Sequence, residues 1–381
     1  MRTGKLADVA ILGSGTAGVS AAIFLAQAGV RTLILARVRR PLKRIGESLP
    51  PQANPLLRQL GVWSAFVKDG HLPCYGNQSA WGSADLKHED FIRHPHGNGW
   101  QLDREQFEQR LIERARTLGV GFVHLQGPVR ASRDREHWTL EAGPELGPTR
   151  TRFLLDATGR ARWLARHQGA QFLREDRQVA LVAYLKSPVT RLEDSTGLVE
   201  STRNGWWYSA LLPRQRLTTV FMTDVDLHPR PRLTTVQGWA ELTLQAPLTA
   251  ARISANSYRL VSPPRLVAAE SGRLGRLWGD GWAAVGDAAM TLDPLSSHGL
   301  TVAMLSGRDL AQAVAQHFGG DREALSSYGT RLTVAFSQYE TIRLTYYRAE
   351  RRWLTSTYWQ RRQRVEKTVV SRLSIVQGCM R

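Results

Sequence analysis

The chain has 381 residues, more than twice the ~150 that serve as a soft prior for one domain, so it fits a large α/β unit with an inserted or appended domain and excludes a disulfide-stapled mini-protein. With 42% hydrophobic and 22% charged residues it can build a sizeable core, which excludes disorder as a description of the whole. Lys and Arg number 51 against 33 Asp and Glu, a formal charge of +18 that favours acidic partners without choosing among nucleic acid, anionic lipid, anionic ligands and acidic protein surfaces.

The chain opens as strand, glycine turn, helix, strand: Asp8–Leu12 is a buried-strand run, Val19–Ala28 a small-residue helix closed by Gly29, and Arg31–Leu35 a second strand. Between the first two lies Gly13-Ser14-Gly15-Thr16-Ala17-Gly18, the G-x-G-x-x-G pattern. Gly13 permits a tight turn, Gly15 lets the backbone approach a pyrophosphate, Gly18 allows close helix–sheet packing, and the helix N-terminus offers N–H groups to phosphates. A glycine turn without a ligand is the bland alternative; the strand–turn–helix setting favours the nucleotide. The acid that holds a ribose is missing, because Ala36 stands at its position; Arg37 can hold the adenosine half instead, or belong with Arg39 and Arg40 to a solvated basic loop.

A helix follows near Ala53–Leu60, then one from Arg104 to Leu118 with apolar spacing at Phe107, Leu111 and Ala115, then strands at Val120–Leu125, His137–Ala142 and Arg152–Asp156. From Gln178 to Pro264 the texture becomes alternating and β-branched, at Val179–Leu185, Trp206–Leu212 and Leu217–Thr223, which predicts a mainly antiparallel sheet with one helix near Val236–Leu244. Gly281–Val285 returns as an apolar strand, and helices dominate from Leu300. The expected organisation is a Rossmann-like nucleotide-binding domain in two parts, 1–177 and 265–320, around a substrate-domain β-sheet insertion at 178–264, with a helical basic C-terminal region at 321–381. Two cysteines, Cys74 and Cys379, cannot make a disulfide framework, no targeting segment or long apolar span stands out, and a reducing, cytoplasmic location is the expectation. No His/Cys/Asp/Glu spacing supports a metal.

The second constellation is Gly286-Asp-Ala-Ala-Met-Thr-Leu-Asp-Pro-Leu-Ser-Ser-His-Gly-Leu300, after a strand and before a long helix with small residues at Ala303, Ser306 and Gly307. It resembles the second flavin motif of the para-hydroxybenzoate hydroxylase superfamily. The resemblance implies FAD, with Gly286 and Asp287 at the ribityl chain and the turn holding Pro294, Ser297, Gly299 and Leu300 against the pyrimidine end of the flavin, where a helix dipole stabilises the reduced, anionic form. Gly46-Glu47-Ser48 resembles the Gly-Glu segment of flavin-dependent halogenases, Leu102-Asp-Arg104 resembles the arginine segment that supports the cofactor, Val129 lies where a backbone contact to adenine is usual, and Asp156-Ala-Thr-Gly-Arg160 resembles the later strand-end motif.

Within that superfamily the tryptophan halogenase-like branch is nearest, yet its signatures are degraded. Asn77 aligns with the halogenation lysine, Ser296 stands where a glutamate would be, and Gly205-Trp-Trp-Tyr-Ser-Ala-Leu-Leu-Pro213 replaces W-x-W-x-I-P. The chain more closely resembles the maturase-like flavoproteins of tryptophylquinone-cofactor oxidases and dehydrogenases, carried by Ser79–Ser83, Asp293–Ser297 and the Tyr347–Trp353 and Tyr358–Arg362 segments. That resemblance implies an FAD-dependent monooxygenase hydroxylating a tryptophan in a partner precursor, using O2 and electrons from NAD(P)H or a separate flavin reductase. A small-molecule aromatic hydroxylase, a flavin reductase or dehydrogenase working without O2, and a non-catalytic FAD scaffold for an oxidase precursor are the alternatives. His298 and Glu47 are the acid–base candidates, each equally readable as structural, and Trp206, Trp207 and Tyr208 are candidates for a substrate cavity, though buried tryptophan is more often core. The arginine–aromatic tail admits single-stranded nucleic acid, but no nucleic-acid module accompanies it; a helix packing Tyr346, Trp353 and Trp359 with its arginines in water is the bland reading, compatible with partner docking.

Overall fold

The computed structural model describes residues 7–37, 45–141, 148–189, 195–229 and 233–364, so Arg39, Arg40, Cys379 and the tail beyond Arg364 lie outside the described residues. The elements used below are β1 (Ala7–Leu12), α1 (Thr16–Gln27), β2 (Thr32–Arg37), β3 (Gly76–Ala80), α2 (Arg104–Thr117), β4 (Gly121–Leu125) and β5 (Thr149–Asp156). The inserted sheet adds β6 (Gln178–Lys186), β7 (Gly197–Thr202), β8 (Gly205–Leu212) and β9 (Arg216–Asp224). The chain then returns through β10 (Trp282–Ala284) to α3 (Gly299–Phe318), α4 (Ala324–Ala349) and α5 (Thr357–Gln363).

β10, β5, β1, β2 and β4 lie side by side in that order, all parallel. A parallel sheet is covered on its faces, so its strands are near-continuous apolar runs; Val9, Ala10, Ile11, Leu12, Ile34, Leu35, Leu154 and Leu155 are buried accordingly. β1 sits between β2 and β5, which places the topological switch point, where such folds bind ligands, at its carboxyl end. α1 is buried by small residues because α3 packs on it: a Cβ on Gly307 would lie 2.9 Å from the Ala21 nitrogen and 3.0 Å from the Ala17 oxygen. α2 buries the predicted stripe Phe107, Leu111 and Ala115, and its N-terminus is capped by the Asp103 carboxylate, which accepts from the Gln106 N–H.

The second sheet runs β6, β9, β8, β7, antiparallel throughout, but it is not confined to 178–264. β3 pairs in parallel with β7, Lys87–Asp90 pairs with β3, and Arg265–Ala268 pairs with β6. The open edge of β7 leaves backbone groups in need of partners, and a polar Gly-Asn-Gln-Ser-Ala strand supplies them without any apolar alternation to announce itself. A second helix, Pro247–Ala255, follows the expected one at Val236–Thr243.

Alternation on β6 and β8 builds two separate cores. Leu181, Leu185, Trp207, Leu211 and Phe221 pack with Trp239 and Leu242 on one face. On the other, Val182, Tyr184, Trp206, Val220 and Met222 meet Ile45 and Leu295 of the first domain and Tyr347, Tyr358 and Trp359 of the C-terminal helices. α4 is therefore a brace: Leu325, Tyr328 and Phe336 belong to the main core, while Tyr347, near its other end, belongs to the sheet.

Candidate functional site

The glycine turn is pressed onto the loop after β5. Gly13 has φ +115°, its N–H donates to Leu35 O at 2.8 Å, and a Cβ there would stand 2.3 Å from Ala157 O. Asp156 is buried and holds that loop, accepting from Thr158 N–H at 3.0 Å, the Thr158 hydroxyl at 2.6 Å and Ala165 N–H at 2.9 Å, so this acid is structural. Gly15 begins α1 with no side-chain cap and no acid in the first turn, which leaves the helix N-terminus to an outside anion. Ser14 and Ala17 are half-buried at the turn. Thr16 is buried, and its Oγ1 accepts from Arg104 Nη2 at 3.1 Å. Arg104 also donates to Gly46 O at 2.6 Å and pairs with Glu108 at 2.8 Å, so one side chain ties the first turn of α1 to the Gly46-Glu47-Ser48 loop.

The second motif arrives beside the first. Gly286 has φ +60°, and a Cβ on it would come within 2.5 Å of Ala17 Cβ. Asp287 keeps 51% of its side-chain surface open with Arg160 Nε 3.8 Å away, while enclosure by protein raises its pKa, the combination expected of a group lining a crevice. Arg37 is exposed at the end of β2 opposite Leu125, and half-buried Val129 follows β4 at the same sheet end, where an adenosine would lie beyond the glycine turn. Ala36 is buried, so nothing acidic faces a ribose from that strand end.

The turn before α3 is built on Asp293, fully buried, whose carboxylate accepts from Leu295 N–H at 2.9 Å. Pro294 is exposed, Ser297 is left-handed at φ +52°, Gly299 opens α3 with no protein atom within 4 Å of where a Cβ would stand, and Leu300 is buried beneath it. No side chain caps this helix either. The exposed His298 turns Nδ1 to Ser296 O in its own turn, leaving Nε2 as the ring atom open to an outside partner. Two uncapped helix N-termini and tight glycine cradles at Gly13 and Gly286 fit a group with a diphosphate and an electron-accepting ring, as FAD has.

Beside that crevice the Gly46-Glu47-Ser48 loop meets the sheet. Glu47 is buried; its carboxyl accepts from the Tyr184 hydroxyl and from Gly46 N–H at 3.1 Å. Burial raises the Glu47 pKa, against the lowering influence of the Tyr184 hydroxyl and the Arg104 charge, and burial likewise raises that of Tyr184. Ser48 and Gln101 flank the Tyr208 hydroxyl. Glu47, Tyr184, Gln101 and Tyr208, with Ser48, form a polar group at the seam between the loop and the sheet. Tyr184 and Gln101 were not among the sequence candidates, though Tyr184 shares the β6 face of Ala180 and Val182.

A raised carboxyl contributes stability that is fully present below its unfolded value, about pH 4.5, and lost as pH rises through the raised native value. Glu47→Gln is neutral at every pH, so its melting temperature is expected to gain on that of the unmodified chain as pH climbs above ~4.5. A difference that stays constant with pH would show that Glu47 does not titrate abnormally.

The three aromatic cavity candidates separate. Trp207 is buried on the far face, stacked on Phe221 at 5.0 Å, because successive strand residues point to opposite faces. Trp206 is on the near face but buried, its Nε1–H donating to Tyr347 OH at 3.1 Å. Tyr208 alone adjoins the polar group. Asn77 lies next to it: the residue pairs with Gly197, where a Cβ would be 2.7 Å from Asn77 Oδ1 and 3.4 Å from the Tyr208 ring. The tail arginines are not all in water. Arg362 is buried, Arg352 is held by Glu350, and Arg361, though exposed, is held by Asp224 and Asp226; Arg348, Arg351 and Arg364 are exposed as well.

The family described as "FAD binding domain" matches residues 6–339. A protein named as an FAD-dependent oxidoreductase, LodB of Marinomonas mediterranea, is 27% identical over 362 residues, covering 93% of this chain and 96% of its own. Tryptophan 2-halogenase of Chondromyces crocatus is 26% identical over 84% of this chain and 63% of its own length. Among solved structures, the myxobacterial chondrochloren halogenase CndH superposes with a TM-score of 0.83 at 21% identity, over 98% of this chain and 90% of that one. The peptidyl tryptophan dihydroxylase QhpG, described as essential for tryptophylquinone cofactor biogenesis, superposes with 0.77 at 24% identity, over 94% and 78%. With the crevice and the family match in agreement, the chain belongs to the FAD-binding domain family and is a flavin-dependent oxidoreductase of the tryptophan halogenase-like superfamily.

Proposed function

We propose that the chain is an FAD-dependent monooxygenase that hydroxylates an indole ring, the substrate being a tryptophan side chain in a partner protein on its way to a quinone cofactor. The observation that carries the choice is the wall at Asn77. Halogenation by the tryptophan halogenase route uses a lysine there. In this chain the described lysines are Lys68, Lys87 and Lys186, all exposed. An amide beside Tyr208 can position an indole N–H or a peptide group, but it cannot carry an activated halogen as an amine does. The likeness to LodB supports an FAD-dependent oxidoreductase, and the fold shared with QhpG supports the maturation reading.

The first turn of α1 would hold the diphosphate, with Arg104 fixing the adjoining loop; Asp287 would hold the ribityl chain, the 294–299 turn the flavin ring, and Arg37 and Val129 the adenosine. Reduced FAD, when bound, supplies two electrons for O2 activation, the electrons coming from NAD(P)H or a separate flavin reductase. One oxygen atom enters a ring C–H bond, and the other leaves as water with two protons. The chain's own part is to exclude water with Ile45, Leu295 and Val199, and to place proton-holding groups, Glu47 with Tyr184, at the seam. Exposed Arg348, Arg351 and Arg364 suit an acidic partner surface. No helix among the described residues is long and apolar enough to cross a membrane, and we assign the reaction to the cytoplasm.

Halogenation is the second reading, favoured by the several relatives named as halogenases. Mass spectrometry separates the two. A tryptophan-containing peptide incubated with the protein, reduced FAD, O2 and bromide is expected to gain oxygen and no bromine, while free indoles gain less. A brominated product would overturn the assignment, and equal turnover of free indoles would favour a small-molecule hydroxylase.

A further inference from the structure

We infer that Tyr347, on α4, is a positioning residue for the flavin, acting through Asp293 at the base of the flavin turn. The Tyr347 hydroxyl is fully buried and sits where three parts of the molecule meet. It donates to Asp293 Oδ2 at 2.7 Å, receives the Trp206 indole N–H at 3.1 Å, and lies 3.4 Å from both Gln178 Oε1 and the Tyr358 hydroxyl. A second tyrosine of the same helix, Tyr339, holds the other side of Asp293, its hydroxyl accepting from Asp293 N–H at 2.5 Å. Arg343, between them on the helix, pairs with Asp176 at 2.7 Å and keeps that face of α4 against the turn.

Asp293 is in turn the organiser of its own loop. Its Oδ1 takes the Leu295 N–H at 2.9 Å, and its carbonyl takes the Ser296 N–H at 3.2 Å and the Ser296 hydroxyl at 3.1 Å. Those bonds set the direction in which residues 297–300 enter α3, and so where the uncapped N–H groups of that helix point. Such groups stabilise a developing negative charge only while they are held in place beforehand. The chain thus fixes its flavin turn from behind, with two tyrosine hydroxyls delivered by α4. That helix lies outside the FAD-binding parts expected from the sequence.

The inference rests on FAD occupying the crevice described above, and the test distinguishes the two. FAD affinity by fluorescence titration, the visible absorption spectrum and the two-electron midpoint potential are measured for the unmodified chain, Tyr347→Phe, Tyr339→Phe and Tyr358→Phe, alongside thermal unfolding. Tyr358→Phe is the control: it removes a buried hydroxyl that bonds Gln178 at 2.7 Å and lies 3.4 Å from the Tyr347 hydroxyl but makes no hydrogen bond to Asp293. Tyr347→Phe is expected to weaken reduced FAD about tenfold more than oxidised FAD, a fall of ~30 mV in midpoint potential for a two-electron couple, with a shifted flavin spectrum. Tyr339→Phe, which leaves the Asp293 N–H unpartnered, is expected to move both in the same direction and keeps the test open should Tyr347→Phe fail to fold. Tyr358→Phe is expected to lower the unfolding temperature without moving the potential. An unchanged potential and spectrum in folded Tyr347→Phe or Tyr339→Phe, or an equal shift in Tyr358→Phe, would overturn the inference. Failure of the unmodified chain to bind FAD would overturn the crevice assignment and this inference with it.

Discussion

Gly13→Ala is expected to destabilise the chain by about 3–5 kcal/mol and to lower FAD affinity more than a hundredfold, among the largest effects a single methyl group can have. Two costs add. At φ +115° an alanine is strained by ~1–3 kcal/mol. The new Cβ would also stand 2.3 Å from Ala157 O and 2.8 Å from Ala157 C, and both are backbone atoms that cannot swing aside. Relief requires the β1–α1 turn to lift from the loop after β5, which pulls on the Gly13 N–H to Leu35 O bond and the Ala157 N–H to Leu12 O bond, at 2.8 and 3.0 Å. Those bonds close the carboxyl ends of three adjacent strands, where the diphosphate is seated. Gly29→Ala separates strain from collision: φ there is +77° with nothing within 4 Å of a Cβ, so only about 1 kcal/mol is expected. Thermal unfolding and FAD titration on both variants check the claim. A Gly13→Ala protein that melts and binds FAD like the unmodified chain would mean that the turn is not the phosphate seat.

The parts of this molecule legible in the sequence are those whose chemistry is local. The G-x-G-x-x-G turn announces itself in six consecutive residues, although the atom that bars a Cβ from Gly13 is Ala157 O of a distant loop, and Phe107, Leu111 and Ala115 mark one helix face by spacing alone. The strand at Gly76–Ala80 was not legible, since its pairing with Gly197–Thr202 depends on backbone groups more than a hundred residues away and its side chains are polar. Asn77 next to Tyr208 was invisible for the same reason. Trp206 and Trp207 could have been separated from the sequence, because two neighbours in a strand cannot face one cavity together. The organisation of the Asp293 turn could not have been, because its partners, Tyr339 and Tyr347, lie 46 and 54 residues further along the chain, and the resemblance carried by Tyr347–Trp353 does not show that contact.

The tail arginines show how far charge counting misleads, and they carry the other large expected effect. Arg362→Met is expected to cost about 3–5 kcal/mol, whereas exposed Arg351→Ala is expected to change stability by less than ~0.5 kcal/mol. Only 3% of the Arg362 side chain is exposed, and it bonds Asp224 at 2.6 and 3.1 Å, Gln178 Oε1 at 3.0 Å and Tyr358 O at 3.2 Å, with its guanidinium 3.7 Å over the Tyr358 ring. Methionine preserves most of the volume but strands an Asp224 carboxylate that is itself 3% exposed, with Arg361 at 2.9 Å as its remaining cation. A buried charge without its partner costs more than the pair contributes, because the desolvation remains and the attraction is gone. The double variant Arg362→Met with Asp224→Leu removes both charges and is therefore expected to be more stable than the single one. Chemical unfolding of the three proteins tests the ordering, and amide hydrogen exchange over Thr357–Gln363 tests its location. Because α5 packs Tyr358 and Trp359 against the sheet face that meets the flavin turn, its detachment is expected to open that seam to water before the parallel sheet unfolds. A double variant no better than Arg362→Met would mean that the guanidinium's bonds to Gln178 and Tyr358, rather than the isolated carboxylate, account for the loss.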